Sequence, residues 1–575
     1  LCFDKTGVNT RVNCEREDPD KRLRVTKSGS AGTVTSNPAG INCGTRCTAL
    51  FAHGTSVTLT ATPATGSVFT GFTGSGCTGT NACTVAMNGI RLVTATFTTR
   101  QTSSLTVIKD GSGAGTITSD PSGVNCGTTC SASFVSGASV TLTAVPMSGS
   151  VLSGWSDPAC PGRGACTIIM DAAKSVTATL AINIPPAANA GPDQNALTGE
   201  SIDLDASASS DANGDTLSHH WSFLSRPEGS NATLFGAHLA QPTFTADVYG
   251  EYVIGLVVND GAQDSSDTVT VKAVTYRTHG FNFGPFMDSQ DPTRQAYVSE
   301  EQLQARMEIV APYTDWVRCF GSSNGLEKCG QVAHRLGLKA ALGAWINSDP
   351  VANEREINNL IAAAKRGDAD MLIVGSEVLL RRDISSDKLI EYINRVKSEA
   401  PDIPVATADA YSVFLSHPAI IGAIDVVLVN YYPYWGSIPI NWAMDSLHAW
   451  HQQVVAAAGG KPVIVSEAGW PSGGNAKGDA VPSIENAAFY FLNFVSWARE
   501  NKVRYFYFEA FDEAWKARFE GPQGATWGVW DKLGVMKPGM DRVFKGETML
   551  DNWSCDSLID GPGAPVIEFT DVPPY

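Results

Sequence analysis

Two glutamates could carry chemistry: Glu377, in Val374-Gly-Ser-Glu-Val378, and Glu467, in Val465-Ser-Glu-Ala-Gly-Trp-Pro471. Each closes a short apolar run. Two carboxylates projecting from strand ends into one cleft suit cleavage of a glycosidic bond. One, protonated, gives its proton to the leaving oxygen; the other attacks the sugar or activates water. A single strand-end glutamate reads equally well as half of an ion pair. Two of them, in the half of the chain that holds eleven of the thirteen tryptophans, point to catalysis. Aromatic faces stack on the apolar faces of pyranose rings. Trp345, Tyr431, Tyr432, Tyr434, Trp435, Trp470, Trp515 and Trp527 are the candidates, with Trp435 and Trp470 favoured. Arg318, at the end of an earlier apolar run, is placed to hold a carboxylate or a sugar hydroxyl. No cofactor is required for such chemistry, and no His/Asp/Glu set in this half has metal-ligand spacing.

The elements that must position these residues lie between about 277 and 545. Apolar runs at 280–285, 316–320, 338–345, 371–377, 404–409, 426–430, 462–467 and 505–509 alternate with helical patterns such as 300–311, 351–366, 387–399 and 483–500. Eight strand–helix alternations predict a (β/α)8 TIM barrel, with Glu377 at the end of strand four and Glu467 at the end of strand seven, the active-site face of such barrels. A doubly wound open sheet is the rival, but no glycine-rich phosphate loop follows the first run.

The first 184 residues read differently. Ten of the thirteen cysteines lie at or before residue 166, and Cys43, Cys47, Cys77 and Cys83 recur as Cys126, Cys130, Cys160 and Cys166 at a constant offset of 83. Thr/Val alternation between Gly, Ser and Pro turns predicts half-buried strands. Units this small gain from cross-links, and the predicted bridges are Cys43–Cys47, Cys77–Cys83, Cys126–Cys130 and Cys160–Cys166. Cys319 with Cys329, and Cys2 with Cys14, are further candidate pairs, which leaves Cys555 over. Both copies, over about 23–182, resemble the divergent internalin-type B-repeats of bacterial surface and secreted proteins. Past Pro185-Pro186, residues Ala190-Gly-Pro-Asp193, Leu204-Asp-Ala-Ser207, Asp211-Ala-Asn-Gly-Asp215 and His220-Trp221-Ser-Phe223 resemble a polycystic-kidney-disease-type immunoglobulin-like domain. Asp211, Asn213 and Asp215 are oxygen ligands at alternate positions. A structural Ca²⁺ and a hydrogen-bonded Asx turn are both open readings.

The segment from about 279 to 545 resembles glycoside hydrolase family 17, the retaining β-1,3-glucanases. The motifs are Gly280-Phe-Asn-Phe-Gly-Pro-Phe286, Asn324-Gly-Leu-Glu327, Gly343-Ala-Trp-Ile-Asn-Ser-Asp349, Val374-Gly-Ser-Glu-Val-Leu-Leu380, Ser466-Glu-Ala-Gly-Trp-Pro-Ser472 and Glu509-Ala-Phe-Asp-Glu-Ala-Trp-Lys516. The resemblance implies Glu377 as acid/base, Glu467 as nucleophile, and Glu513 and Lys516 as residues that position the acid and the substrate. Ser376 stands where the family usually has Asn, and Phe283 where its first strand often has Tyr.

The expected organisation is an N-terminal segment (1–22), two β-repeat modules (23–99 and 103–182), an immunoglobulin-like sandwich (185–275), the barrel (279–545) and a tail (546–575). The expected activity is retaining hydrolysis of β-1,3-glucan. The alternatives are a transglycosylase, and a weakly active glycan-binding adhesin or structural assembly protein. The net charge of −17 argues against nucleic acid as a partner. No apolar run is long enough to span a membrane. The cysteine pairs, and a chain beginning at Leu1 rather than Met, read as an extracellular or cell-surface protein with its signal peptide removed, or as a fragment. Self-association through the β modules or the tail completes the set of expected partners.

Overall fold

The computed structural model describes residues 20–549. Cys2, Cys14, Cys555, most of the N-terminal segment and nearly all of the tail lie outside the described residues. The described residues form two compact units, which divide between Ile184 and Pro185.

In the first unit each repeat folds into two facing sheets. The three-stranded sheets are Gly32–Asn37, Ser56–Pro63 and Cys83–Ala86 in one copy, and Gly115–Asp120, Ser139–Pro146 and Cys166–Ile169 in the other. Strand residues alternate in burial: Val57 and Leu59, like Val140 and Leu142, face inward between exposed or half-exposed threonines. The cores are small, and Cys43, Cys77, Cys126 and Cys166 belong to them. The sulfurs join Cys43 to Cys47, Cys77 to Cys83, Cys126 to Cys130 and Cys160 to Cys166.

The second unit begins with a sandwich. A four-stranded sheet runs in the order Gln194–Leu197, Asp264–Val274, Gly250–Asn259, Ser218–Ser225, and a two-stranded sheet pairs Ser201–Asp203 with Thr243–Thr245. Trp221 is buried at its centre, its indole N–H donating to the Leu239 carbonyl at 3.1 Å. The last strand runs directly toward the barrel, and the N–H groups of Thr275 and Tyr276 both donate to the Phe544 carbonyl, at 2.7 and 3.1 Å.

The barrel strands are β1 (Thr278–Asn282), β2 (Thr314–Cys319), β3 (Lys339–Ala344), β4 (Met371–Ser376), β5 (Val405–Ala410), β6 (Val426–Tyr431), β7 (Val463–Ala468) and β8 (Arg504–Tyr505). All are parallel and neighbour one another in sequence order. Strands β4, β5 and β6 are buried along their whole length, as expected when helices cover one side of a parallel sheet and barrel side chains fill the other. β8 differs from expectation, since only two of its residues make a regular ladder. Beyond it the chain still closes the barrel, with N–H groups alternating between neighbours: Phe506 and Phe508 donate to Val465 and Ala468 of β7, Tyr507 and Ala510 to Gly280 and Asn282 of β1. The helix Pro350–Arg366 shows how the outer layer is specified. Asp349 accepts from the N–H groups of Val351 and Ala352, Pro350 opens the helix, and Gly367 ends it in the left-handed region. Its Ile357, Leu360, Ile361 and Ala364 face the core. A disulfide joins Cys319, at the end of β2, to Cys329. Among the described residues no helix is long and apolar enough to cross a membrane.

Candidate active site

The ends of β1, β2, β4, β6 and β7 bring together a buried polar network. Glu467, in β7, is 5% exposed and Glu377, immediately after β4, is 7% exposed. Arg318, from β2, is 1% exposed and makes a 2.7 Å ion pair to Glu467 Oε1. The same guanidinium donates to Asn282 Oδ1 at 2.8 Å and to Ser376 Oγ at 3.0 Å. Ser376 in turn donates to Glu467 Oε1 at 3.2 Å. On the other carboxylate oxygen, the Tyr432 hydroxyl donates to Glu467 Oε2 at 2.6 Å. Arg318 thus supplies the counter-charge without which a buried carboxylate is costly.

Glu377 sits in a different environment. It accepts one hydrogen bond, from Asn430 Nδ2 at 2.9 Å, and Asn430 is fixed by the Ser466 hydroxyl at 2.5 Å. Burial, and then the charge of Glu467, raise its pKa from 4.5 to about 8; the Asn430 amide and Arg381 pull the other way, and Asp409 adds to the rise. One carboxyl group is held as an acid, while a second beside it is clamped by a guanidinium.

Local backbone explains the presentation of Glu377. Gly375 has φ +81° and Glu377 has φ +54°. A side chain on Gly375 would collide with Val378 Cγ2, so glycine is required there. Glu377 itself adopts a conformation that disfavours residues other than glycine, and such strain concentrates at functional positions.

Glu513 and Lys516 are also buried, at 2% and 4%, and form a 2.9 Å ion pair. Lys516 also pairs with Glu509, which is fully buried. Burial lowers the Lys516 pKa, but Glu509, Glu513 and Glu520 outweigh it and hold the ammonium above its ordinary value. Burial raises Glu509 well above the carboxylate range. Among the described residues the ion pairs of this cluster run within it and not to Glu377. The cluster packs on the first strand's loop: the Glu513 carboxylate lies where a Gly284 side chain would be. That close approach accounts for Gly284 in the 280–286 motif.

Two expected sugar contacts are corrected. Tyr431 is fully buried on the outer side of β6, with its hydroxyl 3.2 Å from His451 Nδ1 and its ring beside Tyr411. Trp470 is 1% exposed, packed against Tyr434 and Tyr490, with its indole N–H donating to the Val481 carbonyl. Both are core residues. Trp435 remains partly exposed, against Tyr434 and Trp527, with Lys477 Nζ 4.9 Å from its ring centroid. Tyr432 takes the place expected of Tyr431. Alternation along a strand carries the signal: Asn430 points into the barrel, Tyr431 away from it, and Tyr432 back toward the cleft. Asn282, Asn430 and Asp409 were also missed, and only the register of neighbouring strands brings them to the site. Phe283, where the family often has Tyr, is buried at a T-shaped angle to Phe511.

Away from the barrel, the Asp215 N–H donates to Asp211 Oδ1 at 2.8 Å, a side-chain-to-backbone hydrogen bond that spans the turn. Asp211 Oδ2 is buried without a hydrogen-bond partner, an oxygen of the kind a cation takes. Among the described residues no group of three or more His, Cys, Asp or Glu side chains is arranged to hold a metal ion.

Residues 280–528 match the family described as the BtgE/BtgC glycoside hydrolase domain. The barrel is 31% identical over 266 residues to glucan 1,3-beta-glucosidase BGL2 of Candida albicans, covering 42% of this chain and 84% of that protein. The chain belongs to the BtgE/BtgC glycoside hydrolase family. It is also 30% identical over 275 residues to the putative glucan endo-1,3-beta-glucosidase btgC of Aspergillus niger, and there it spans only 40% of the relative's length. Among solved structures, a glycoside hydrolase family 17 beta-1,3-glucanosyltransferase from Rhizomucor miehei is 33% identical, covering 46% of this chain and 96% of that one, with a TM-score of 0.41. Residues 190–273 match a PKD domain family, and 25–101 and 105–183 match the divergent InlB B-repeat domain. The BtgE/BtgC barrel here is therefore preceded by modules of other families.

Proposed function

We propose that the chain is a retaining glycoside hydrolase acting on β-1,3-glucan, with Glu377 as acid/base and Glu467 as nucleophile. The observation that carries this reading is the contrast between the two carboxyl groups, one raised to about 8 and the other held by Arg318 and Tyr432. In the first step Glu377 gives its proton to the glycosidic oxygen while Glu467 attacks the anomeric carbon and forms a glycosyl ester. Glu377, now a carboxylate, then takes a proton from the incoming water as the ester breaks. A sugar hydroxyl in place of that water gives transglycosylation. Trp435 and Ser376 are assigned to the sugar-binding surface and its support, and Glu513 and Lys516 to shaping the cleft beside β8. The relatives' names, which specify β-1,3-glucan, support the substrate.

The test is product analysis on β-1,3-, β-1,4- and mixed-linkage glucans. The reading expects shorter or transferred β-1,3 products from the wild type and none from Glu467→Gln. Binding without any product would favour the adhesin. The five disulfides among the described residues support an extracellular location. A structural calcium on Asp211, Asn213 and Asp215 is assigned on the orphan Asp211 oxygen, and melting of the sandwich with calcium and then EGTA checks it. Self-association through the β modules or the tail is checked by light scattering.

A further inference from the structure

Asp409 is a third buried acid at this end of the barrel, 2% exposed in β5. Its Oδ1 accepts the Ala410 N–H at 2.9 Å and its Oδ2 accepts the Leu379 N–H at 3.1 Å. Leu379 lies within the turn that Glu377 opens, closed by the Arg381 N–H donating to the Glu377 carbonyl at 2.9 Å. One residue earlier in β5, the Ala408 carbonyl accepts the Glu377 N–H at 2.8 Å. Adjacent positions of β5 therefore grip the start and the middle of the turn that carries the acid. From the far side, Arg381 Nη1 donates to the Ser376 carbonyl at 2.6 Å. These contacts hold Glu377 at its left-handed φ.

The ionisable groups around Asp409 are few. From the turn come Glu377 and Arg381, and Arg381 is paired with Asp383 and lies over the Trp345 ring. Glu467 lies beyond Glu377. The register partner of Asp409 on β6 is Val429, and Ala410 is opposite Asn430, both uncharged. Tyr411 follows in the chain, its phenol pushed up by burial. No cation lies within ion-pair distance of Asp409 among the described residues.

We propose that Asp409 is a positioning residue for glycoside cleavage: it clamps the turn that presents Glu377, and its charge helps keep the proton on Glu377 until the leaving oxygen takes it. This rests on the reading of Glu377 as the acid. Burial raises Asp409 to about 7, with the Ala410 and Leu379 N–H groups opposing, and the Asp409 charge in turn adds to the rise of Glu377. Removing that charge lets Glu377 ionise at lower pH. In Asp409→Asn, one carbonyl oxygen faces two N–H donors, and the amide NH2 is set against one of them.

The experiment compares wild type, Asp409→Asn, Asp409→Glu and Glu377→Gln in the full chain, from pH 4 to 10. One substrate is a laminari-oligosaccharide, whose leaving sugar needs protonation; the other is a dinitrophenyl β-glucoside, whose leaving group does not. Asp409→Asn is expected to lose at least about 10-fold in kcat/KM on the oligosaccharide, within the range of general-acid effects. It should lose under about 3-fold on the aryl glycoside and move the basic limb to lower pH. A folded Asp409→Asn with an unmoved limb, or with equal losses on both substrates, overturns the proposal. Should that variant fail to fold, Asp409→Glu decides. Keeping the basic limb while losing oligosaccharide activity supports the clamp; wild-type rates on both substrates overturn it. Glu377→Gln at wild-type rate on the oligosaccharide would sink the acid assignment itself. Glu377→Gln impaired only on the oligosaccharide, beside a wild-type Asp409→Asn, would sink the Asp409 proposal alone.

Discussion

The Tyr432 hydroxyl donates to Glu467 on the oxygen opposite the one held by Arg318. Two donors from opposite sides of the barrel, β2 and the end of β6, leave the carboxylate one orientation. For the nucleophilic role proposed for Glu467, a fixed ground-state geometry avoids rearrangement in the transition state.

Tyr432→Phe removes one of these donors and leaves the ring packed against Phe508 and Trp527. A hydrogen bond to a charged group is worth about 1.5–3 kcal/mol. Steady-state kinetics on β-1,3-glucan should therefore show kcat/KM lower by about 10- to 100-fold, with little change in thermal midpoint.

Arg318→Met should affect stability as well as rate. Both partners are almost fully buried, and removing one half of a buried pair costs about 3–5 kcal/mol. Denaturant unfolding of the barrel should show that loss, and Arg318→Lys should recover only part of it, because one ammonium cannot serve Asn282, Ser376 and Glu467 with the planar fork of Arg318.

The raised carboxyl groups give stability a definite pH dependence. Glu377 moves from 4.5 to about 8, and Asp409 from 3.8 to about 7. Between those limits the folded chain binds more protons than the unfolded one. This contribution is therefore complete below the unfolded values and lost as pH rises through about 7 to 8. Melting temperature should fall over that window, and Glu377→Gln should flatten the fall. Equal slopes for the two proteins would contradict the environment described for Glu377.

The repeats should respond to loss of a cross-link independently of catalysis. Cys160 and Cys166 close a ring with a sequence separation of 6. The chain-entropy relation for so short a loop gives about 2 kcal/mol. The double Cys→Ser variant should lower the melting of the repeats by that order in calorimetry and leave glucan turnover unchanged.

Sequence reading placed both glutamates at the ends of barrel strands, because each ends an apolar run long enough to be one. It reached the helices for the same reason, since periodicity and caps are local. It erred at Tyr431 and Trp470. An aromatic residue near a strand end looks the same whether it faces the cleft or the outer helices, and only its register and packing decide. Trp470 lies between Gly469 and Pro471, and the turn carries it inward against Tyr490. Asp409 was invisible for a related reason. Nothing within Thr407-Ala-Asp-Ala410 shows that a loop from the preceding strand needs an acceptor there.

The paired hydrogen bonds from Thr275 and Tyr276 to the Phe544 carbonyl bear on how the chain can be divided. They join the residues that follow the last strand of the sandwich to the final turn of the barrel, so the two share a backbone seam. A recombinant barrel cut at residue 277 would lose a seam that holds its own C-terminal end. Fragments intended for crystallisation or enzyme engineering are better started at Pro185, where the second compact unit begins.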